Sequence, residues 1–447
     1  MNEVWPVLLS ETSGAPRRPR RRRLGLVAAA IVLAGAVVAV ALVLARGGRS
    51  AGEEAPRPEA AAAPATDAPD RPPAPKLKLY AKETRLAGVE LLERGELDAA
   101  EKWLTGYLEA PSDGRDDQAL YALALLHRLR GRDEAAEDTL RRLVAQRPDS
   151  LRAGDAWREL GSILAASGRR EEARQCLLEA VRVYPRSSGG MLAARELADD
   201  LYDRHVTKKT QRSEWERIRD LYSVALPGLR DSPSERAEVV RRLDELNRWI
   251  IFTPHARPSP GYPSNIVFHT VKPRETLGAI ARRYGVTEGA IRRLNGISPE
   301  THIIRPDEEL KILRGRCEIF VDSTALRMTV WINGSYFKEY PVGLGREERT
   351  PIGKFRIASR VVDPDWTPPG RERIPFGDPR NILGTRWLGF APSGAGRGIG
   401  IHGSVLKDGV WQGVGERASE GCIRMANPDV EELFDFAVEG TEVTVSE

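Results

Sequence analysis

Three glycines, Gly95, Gly131 and Gly168, fall 36 and 37 residues apart, and each opens a stretch of the same make-up. The stretches read GELDAAEKWLTGYLE, GRDEAAEDTLRRLVAQRPDS and GRREEARQCLLEAVRVYPRS. Pro148 and Pro185 keep the same interval, 37 residues, and each closes a second helix. A period of this length marks a helix–turn–helix unit, which cannot bury its apolar face alone and so stacks on its neighbours. Glycine suits the turn because left-handed backbone costs it nothing. The alanines behind each glycine let two helices approach closely. Residues 76–252 are therefore expected to form about three helical pairs followed by less regular helices.

This segment resembles tetratricopeptide repeats. The resemblance implies a surface for a protein partner, and a helical spacer without a partner is the competing reading. Cys176 lies in a repeat helix, where core packing is expected.

The N-terminus carries a different signal. Residues 17–23 read RRPRRRR, and an uncharged apolar run follows over residues 24–45. About 20 apolar residues span a bilayer as a helix. The six arginines before the run outweigh Arg46 and Arg49 after it, which keeps the basic tail, residues 1–23, in the cytoplasm. The run is longer than the apolar core of a cleaved signal peptide, so an uncleaved single-pass anchor is expected. Everything from about residue 46 is then expected to face outward, toward the periplasm or cell wall. Residues 46–75 form a linker. Seven prolines and nine alanines among residues 51–75 cannot supply a core.

Composition removes several classes. Lys+Arg number 68 and Asp+Glu 64, a net charge of +4 that gives no reason to invoke nucleic acid. The three cysteines, Cys176, Cys317 and Cys422, contain no C-x-x-C pair. Zinc ribbons and dense disulfide frameworks are therefore not expected. One disulfide is open, with Cys176–Cys317 as the first choice.

After a second linker, residues 253–265, the pattern shortens. Residues 266–314 read as strand, helix, helix, strand. Leu277, Ile280, Ala281 and Tyr284 line one face of the first helix. Thr287 caps the second, and Gly296 stops it. The stretches HTVKPRETLGAIARRYGVT, IRRLNG and LKIL resemble a LysM domain. That resemblance implies binding of N-acetylglucosamine-containing glycans such as peptidoglycan. It places contacts at Pro273, Arg274, Glu275 and Thr276, and at Gly296, Ile297 and Ser298. A LysM fold that only spaces domains is the competing reading. His269 and His302 lack metal-type spacing.

Residues 315–447 alternate apolar and polar positions and read as mostly strands. Asn333-Gly334 sits between two of them, a strong hairpin signal. One helix is expected after ANPDVEELFDFAVE begins, with Asn427 as its cap and Pro428 at its first position. His402 is the only histidine after residue 302. Cysteine is a strong nucleophile only as the thiolate, so it needs a base, and histidine suits that task. Gly421 and Cys422 amides are candidates for an oxyanion hole. Arg424 adds positive charge. Good zinc ligands are too few in this region.

IHGS, followed by SEGCIRMANPDVEEL, resembles the active-site motif of L,D-transpeptidases. RTPIGKFRI and NILGTRWLGF match two further elements of that family, in order. The resemblance implies Cys422 as nucleophile and His402 as base and acid. It implies support from the Gly403 carbonyl, Ser419, Gly421 and Arg424. No metal and no organic cofactor is implied. Carbapenems are expected to acylate Cys422. Where many relatives carry a second histidine, this chain has Glu420, expected to face solvent or to pair with Arg424 or Arg417. Trp387 and Phe390 read as packing residues. The implied reaction releases D-alanine from a tetrapeptide stem and forms a 3-3 cross-link. Water or a protein lysine as acceptor, and a non-catalytic wall-binding scaffold, are the competing readings.

The expected architecture is multidomain: an N-terminal transmembrane helix, an α-helical repeat region, a small βααβ LysM module and a mostly-β L,D-transpeptidase catalytic domain.

Overall fold

The computed structural model describes residues 86–109, 116–207, 214–254, 265–301, 303–368, 370–391 and 398–447. The expected anchor, its basic tail, the first linker and His302 lie outside these residues. Among the described residues no helix is long and apolar enough to cross a membrane.

The helical region begins with α1 (Ala87–Glu93), α2 (Leu97–Glu109), α3 (Asp116–Leu129) and α4 (Asp133–Gln146). It continues with α5 (Ala153–Ala166), α6 (Arg170–Val183) and α7 (Ser188–Leu201). The repeat glycines sit at the turns with φ of 79°, 71° and 80°, the left-handed region that an added side chain would strain. Behind them Ala100, Ala136 and Ala173 are buried at the helix contacts, as the repeat predicts. Then α8 (Trp215–Ala225) and α9 (Pro233–Ile250) turn toward the C-terminal part of the chain.

The small module consists of β1 (Ile266–Thr270), α10 (Leu277–Tyr284), α11 (Glu288–Asn295) and β2 (Glu309–Leu313). β1 and β2 pair antiparallel over a core of Val271, Leu277, Ile280, Ala281, Ile291, Leu310 and Ile312. Thr287 caps α11 by accepting from Ala290 N at 2.9 Å. Gly296 ends α11 in left-handed backbone, φ 65°.

The rest of the chain builds β3 (Cys317–Asp322), β4 (Arg327–Ile332), β5 (Ser335–Pro341), β6 (Leu344–Gly345), β7 (Gly353–Val362) and β8 (Arg386–Phe390). These are followed by β9 (Gly400–His402), β10 (Leu406–Lys407), β11 (Val410–Trp411), β12 (Arg417–Ser419) and β13 (Ile423–Arg424). The last two elements are α12 (Asn427–Phe436) and β14 (Glu442–Ser446). Eight strands form one sheet in the order β13-β9-β8-β7-β14-β3-β4-β5. Asn333 and Gly334 join β4 to β5 with φ of 52° and 75°, the two positive values of a tight hairpin turn. Beyond β5 the chain crosses to the other end of the sheet, where Gly343 exchanges backbone hydrogen bonds with Arg424.

The helical region is built onto this sheet. The last strand in the order, β5, has its backbone groups taken by helix side chains. Tyr336 N donates to Ser223 Oγ at 2.9 Å. Asn247 Nδ2 donates to the Tyr336 and Phe337 carbonyls at 3.0 and 2.9 Å. Arg236 forms a two-pronged ion pair with Glu339.

The small module is held on two sides. Arg293 pairs with Asp435 of α12 at 2.8 Å, and Thr287 donates to the Asp435 carbonyl. On the other side Lys311, 1% exposed, donates to the Thr253 and Ile251 carbonyls just past α9, at 2.6 and 3.1 Å. The last carbonyls of a helix have no partner within it. Burial lowers the Lys311 ammonium from its usual 10.5 to about 8. The folded chain therefore holds fewer protons than the unfolded chain between those values, and stability from this group rises with pH there. The prediction is that Lys311→Met, compared with the native chain by thermal melting, loses ground as pH climbs from 8 to 10. A constant difference between the two would contradict it.

Two expectations need correction. Cys176 and Cys317 are free thiols, so no disulfide joins them. Asn427 does not cap α12, because it is the helix's first residue and its side chain is turned toward neighbouring loops.

Candidate active site

At one end of the sheet, His402 closes β9 and Cys422 immediately precedes β13, the parallel neighbour of β9. Ile423 is opposite Ile401, and Arg424 is opposite His402. Between them the chain leaves through the β10–β11 hairpin and returns along β12, which pairs in parallel with β6. The loop from Ser419 to Cys422 is tied from within. Ser419 Oγ donates to Cys422 O at 2.6 Å and accepts from Gly421 N at 3.1 Å. Thr350, from the RTPIGKFRI stretch, donates to Gly421 O at 3.0 Å and accepts from Gly345 N at 2.7 Å. Gly421 has φ 134°, and a Cβ there would sit 3.0 Å from the Arg349 carbonyl. The glycine is thus required by backbone shape and by crowding. Its amide is taken by Ser419, which corrects its expected role as a free oxyanion donor.

His402 is 2% exposed. Its Nδ1 lies 2.7 Å from the Gly403 carbonyl. The ring stacks on Trp387, with centroids 6.0 Å apart and planes 23° from parallel. Trp387 fills a cradle that only glycine leaves open. A Cβ on Gly389 would be 2.6 Å from its Nε1, and one on Gly400 would be 2.9 Å from its Cζ2. Trp387 is thus packing, as expected, but packing against the imidazole itself. Its two glycine neighbours were the signal in the sequence.

Burial, and then the Arg424 charge, lower the His402 imidazolium to about 4, against the opposing pull of the Gly403 and Leu383 carbonyls. Burial also pushes the Cys422 thiol up, while the Gly400 backbone and Arg424 pull it down. At neutral pH both groups are therefore uncharged at rest. The half-buried thiol points at the Gly398 carbonyl, 3.7 Å away. Arg424 Nε is buried with no hydrogen-bond partner among the described residues.

Cys317 is a different kind of thiol. It opens β3 opposite Ile332, is 5% exposed, and is pushed up to about 12 by burial. Its electrostatic neighbour is Glu318, which disfavours the thiolate further.

Glu420 faces solvent and pairs with Arg346 at 2.5 Å and with Arg349. Solvent exposure was expected, but these partners were not. Arg417 instead donates to the Ser323 carbonyl. No group of three or more metal-ligating side chains is present among the described residues.

In the small module, Pro273 and Arg274 are exposed on the loop after β1. Glu275 is turned inward. Its carboxylate meets His269, the Lys272 amide and Arg283 at 2.8, 2.8 and 3.0 Å. Thr276 caps α10 through Ala279 N at 3.2 Å. Gly296 abuts Pro254, Ile297 packs on the module's core, and the Ser298 carbonyl accepts from Arg292 at 2.9 Å. The loop residues left open to a ligand are thus mainly Pro273 and Arg274.

A cleft of about 240 Å³ lies beside the His402 loop, between Phe376, Asn381, Ser404, Leu406 and Trp411. A larger one, about 650 Å³, opens between α8, α9 and the β3–β4 face. Neither cleft is lined by Cys422, His402 or Arg424; the smaller is lined by Ser404, two residues past His402, and by Asn427.

A family model described as the L,D-transpeptidase catalytic domain matches residues 317–445, and a LysM domain model matches residues 269–313. Two tetratricopeptide repeat models match residues 118–150 and 154–187. Among curated relatives, YqjB of Bacillus subtilis (strain 168), provisionally named an L,D-transpeptidase, is 32% identical over 137 residues, 30% of this chain and 74% of its own. YkuD of the same organism, named in the same provisional way, is 28% identical over 40% of this chain and 98% of its own. The solved L,D-transpeptidase 3 of Mycobacterium tuberculosis aligns at 19% identity and a TM-score of 0.25, covering 32% of this chain and 66% of that one. With YqjB matched across most of its length and the catalytic-domain model matched over the sheet that carries Cys422 and His402, this chain belongs to the L,D-transpeptidase family.

Proposed function

We propose that this chain is a membrane-anchored peptidoglycan L,D-transpeptidase that forms 3-3 cross-links, with Cys422 as nucleophile and His402 as base and acid. The observation that carries the assignment is the His402 ring, locked by Gly403 and Trp387 on the strand next to Cys422. Cys317 is the other cysteine in the matched segment, and its burial in β3 argues against it.

The neutral resting pair sets the order of events. The thiol proton passes to His402 as sulfur attacks the carbonyl of the third residue of a tetrapeptide stem. The oxyanion is assigned to the Cys422 N–H, with Arg424 favouring the negative charge nearby. As the tetrahedral intermediate collapses, the carbonyl carbon–nitrogen bond breaks. His402 returns the proton to the leaving amine, and D-alanine departs. A thioester remains on Cys422. The side-chain amine of a second stem then attacks, its proton passes to His402, and the thiolate leaves and is reprotonated.

The small module is assigned to glycan strands, with Pro273 and Arg274 as its open loop residues. Helices α1 to α7 are assigned to a protein partner, and α8 and α9 to holding the sheet. The arginine-flanked apolar run supports an inner-membrane anchor with the catalytic domain on the outer side.

Incubation of the purified protein with disaccharide-tetrapeptide tests the reading by mass. A dimer with loss of one D-alanine is expected. Tripeptide without dimer would move the assignment to an L,D-carboxypeptidase. Neither product, and no carbapenem adduct on Cys422, would leave a wall-binding scaffold.

A further inference from the structure

Asn427 has no part in the cysteine–histidine chemistry as read from the sequence, yet its side chain is placed in the His402 loop. Ser404 N donates to Asn427 Oδ1 at 3.0 Å, and Thr385 N donates to the same atom at 3.4 Å. Two donors converging on one atom identify it as the amide oxygen. The Ser404 N–H and the Gly403 C=O belong to one peptide unit, which is planar and turns as a whole. On its far side that unit holds His402 Nδ1 at 2.7 Å. The surroundings are cut to fit the amide. A Cβ on Gly384 or on Gly403 would lie 2.2 Å from Asn427 Oδ1.

We propose that Asn427 is the positioning residue of the imidazole, holding the Gly403–Ser404 peptide so that its carbonyl keeps His402 protonated at Nδ1. Nε2 is then left as the proton acceptor. This rests on the assignment of His402 as base. Aligned hydrogen bonds through one peptide also polarise each other. The relay does for this ring what a carboxylate does in other triads, without burying a negative charge. Arg424 is the charged group whose electrostatics reach the ring, and Trp387 covers its face. Because Asn427 lies five residues past Cys422, the nucleophile and the residue that orients its base lie on one short stretch of chain.

The test uses ¹⁵N NMR of the histidine rings, with the His402 signals identified by their loss in His402→Gln. In the native protein Nδ1 should carry the proton. Asn427→Asp keeps an acceptor for both amides, so it should keep that tautomer and raise the pH at which His402 titrates. Asn427→Ala and Asn427→Leu should mix the tautomers and slow acyl-enzyme formation on the order of 100-fold. Unchanged tautomer and unchanged titration in the Ala and Leu variants would overturn the proposal, whatever their melting temperatures. Should Ala and Leu fail to fold, an Asp variant whose His402 titrates as in the native protein would overturn it equally. A tautomer shift in a protein that performs no acyl transfer would uphold the positioning role and refute the transpeptidase assignment.

Discussion

Cys422→Ala is expected to abolish acyl-enzyme formation, and Cys317→Ala to leave it within a few-fold of native. The two thiols differ in surroundings more than in sequence. Cys317 is sealed in β3 beside Glu318, its thiol raised to about 12. Cys422 is half-buried at the end of the sheet beside Arg424 and the strand carrying His402. Intact-mass measurement after exposure to a tetrapeptide donor or a carbapenem reads the result directly. An adduct that survives Cys422→Ala and vanishes in Cys317→Ala would reverse the assignment. The pH dependence is a second reading of the same site. Free thiol normally titrates near 9.0, and Cys422 is displaced upward. Alkylation by iodoacetamide should therefore keep rising above pH 9. An inflection between pH 6 and 7 would mean a preformed thiolate–imidazolium pair. With His402 lowered to about 4, that pair is not favoured at rest.

Removing the helical region should turn the catalytic sheet into a self-associating fragment. An uncovered strand end exposes a row of unmet N–H and C=O groups, which pair with any other strand available. In this chain Ser223 and Asn247 occupy those groups on β5, and Tyr336 adds a hydrogen bond to Asp244 at 2.9 Å. A fragment of residues 315–447 is expected to form dimers or larger species by light scattering. The milder change Asn247→Leu leaves two buried carbonyls unmet and should cost about 2 kcal/mol or more. A monomeric fragment with a native melting transition would show that α8 and α9 are not needed as a cover.

The candidate site residues were more legible in the sequence than the groups that support them. His402, Ser419, Gly421 and Cys422 stand in a spacing tied to a recognisable family, and the repeat glycines announce their own turns. Legibility ends where a residue acts on something distant in sequence. Thr350 reaches Gly421 across 71 positions, and Asn427 reaches back to Ser404 and Thr385. Asn427 before Pro428 reads as a helix cap because that local rule is strong, yet the neighbouring loops claim its side chain. Glu420 was expected to face solvent, as it does, or to pair with Arg424 or Arg417, which are close in sequence. Its partners, Arg346 and Arg349, come from the far side of the sheet crossing. Local rules, in short, say what a residue can bond, and topology decides what is within reach.

The two-sided grip on the small module bears on how such a protein would meet a polymer. Lys311 fastens the module to the end of α9, and Arg293 with Thr287 fastens it to α12, the helix that starts at Asn427. A glycan strand seated on Pro273 and Arg274 would lie at one set distance and angle from Cys422. On the proposed function, such a protein would sample stem peptides by where they emerge from a strand held in that pose. Only stems that emerge at the right turn of the strand would reach the thiol, and cross-links would be spaced along the wall by the geometry of the protein rather than by chance encounter.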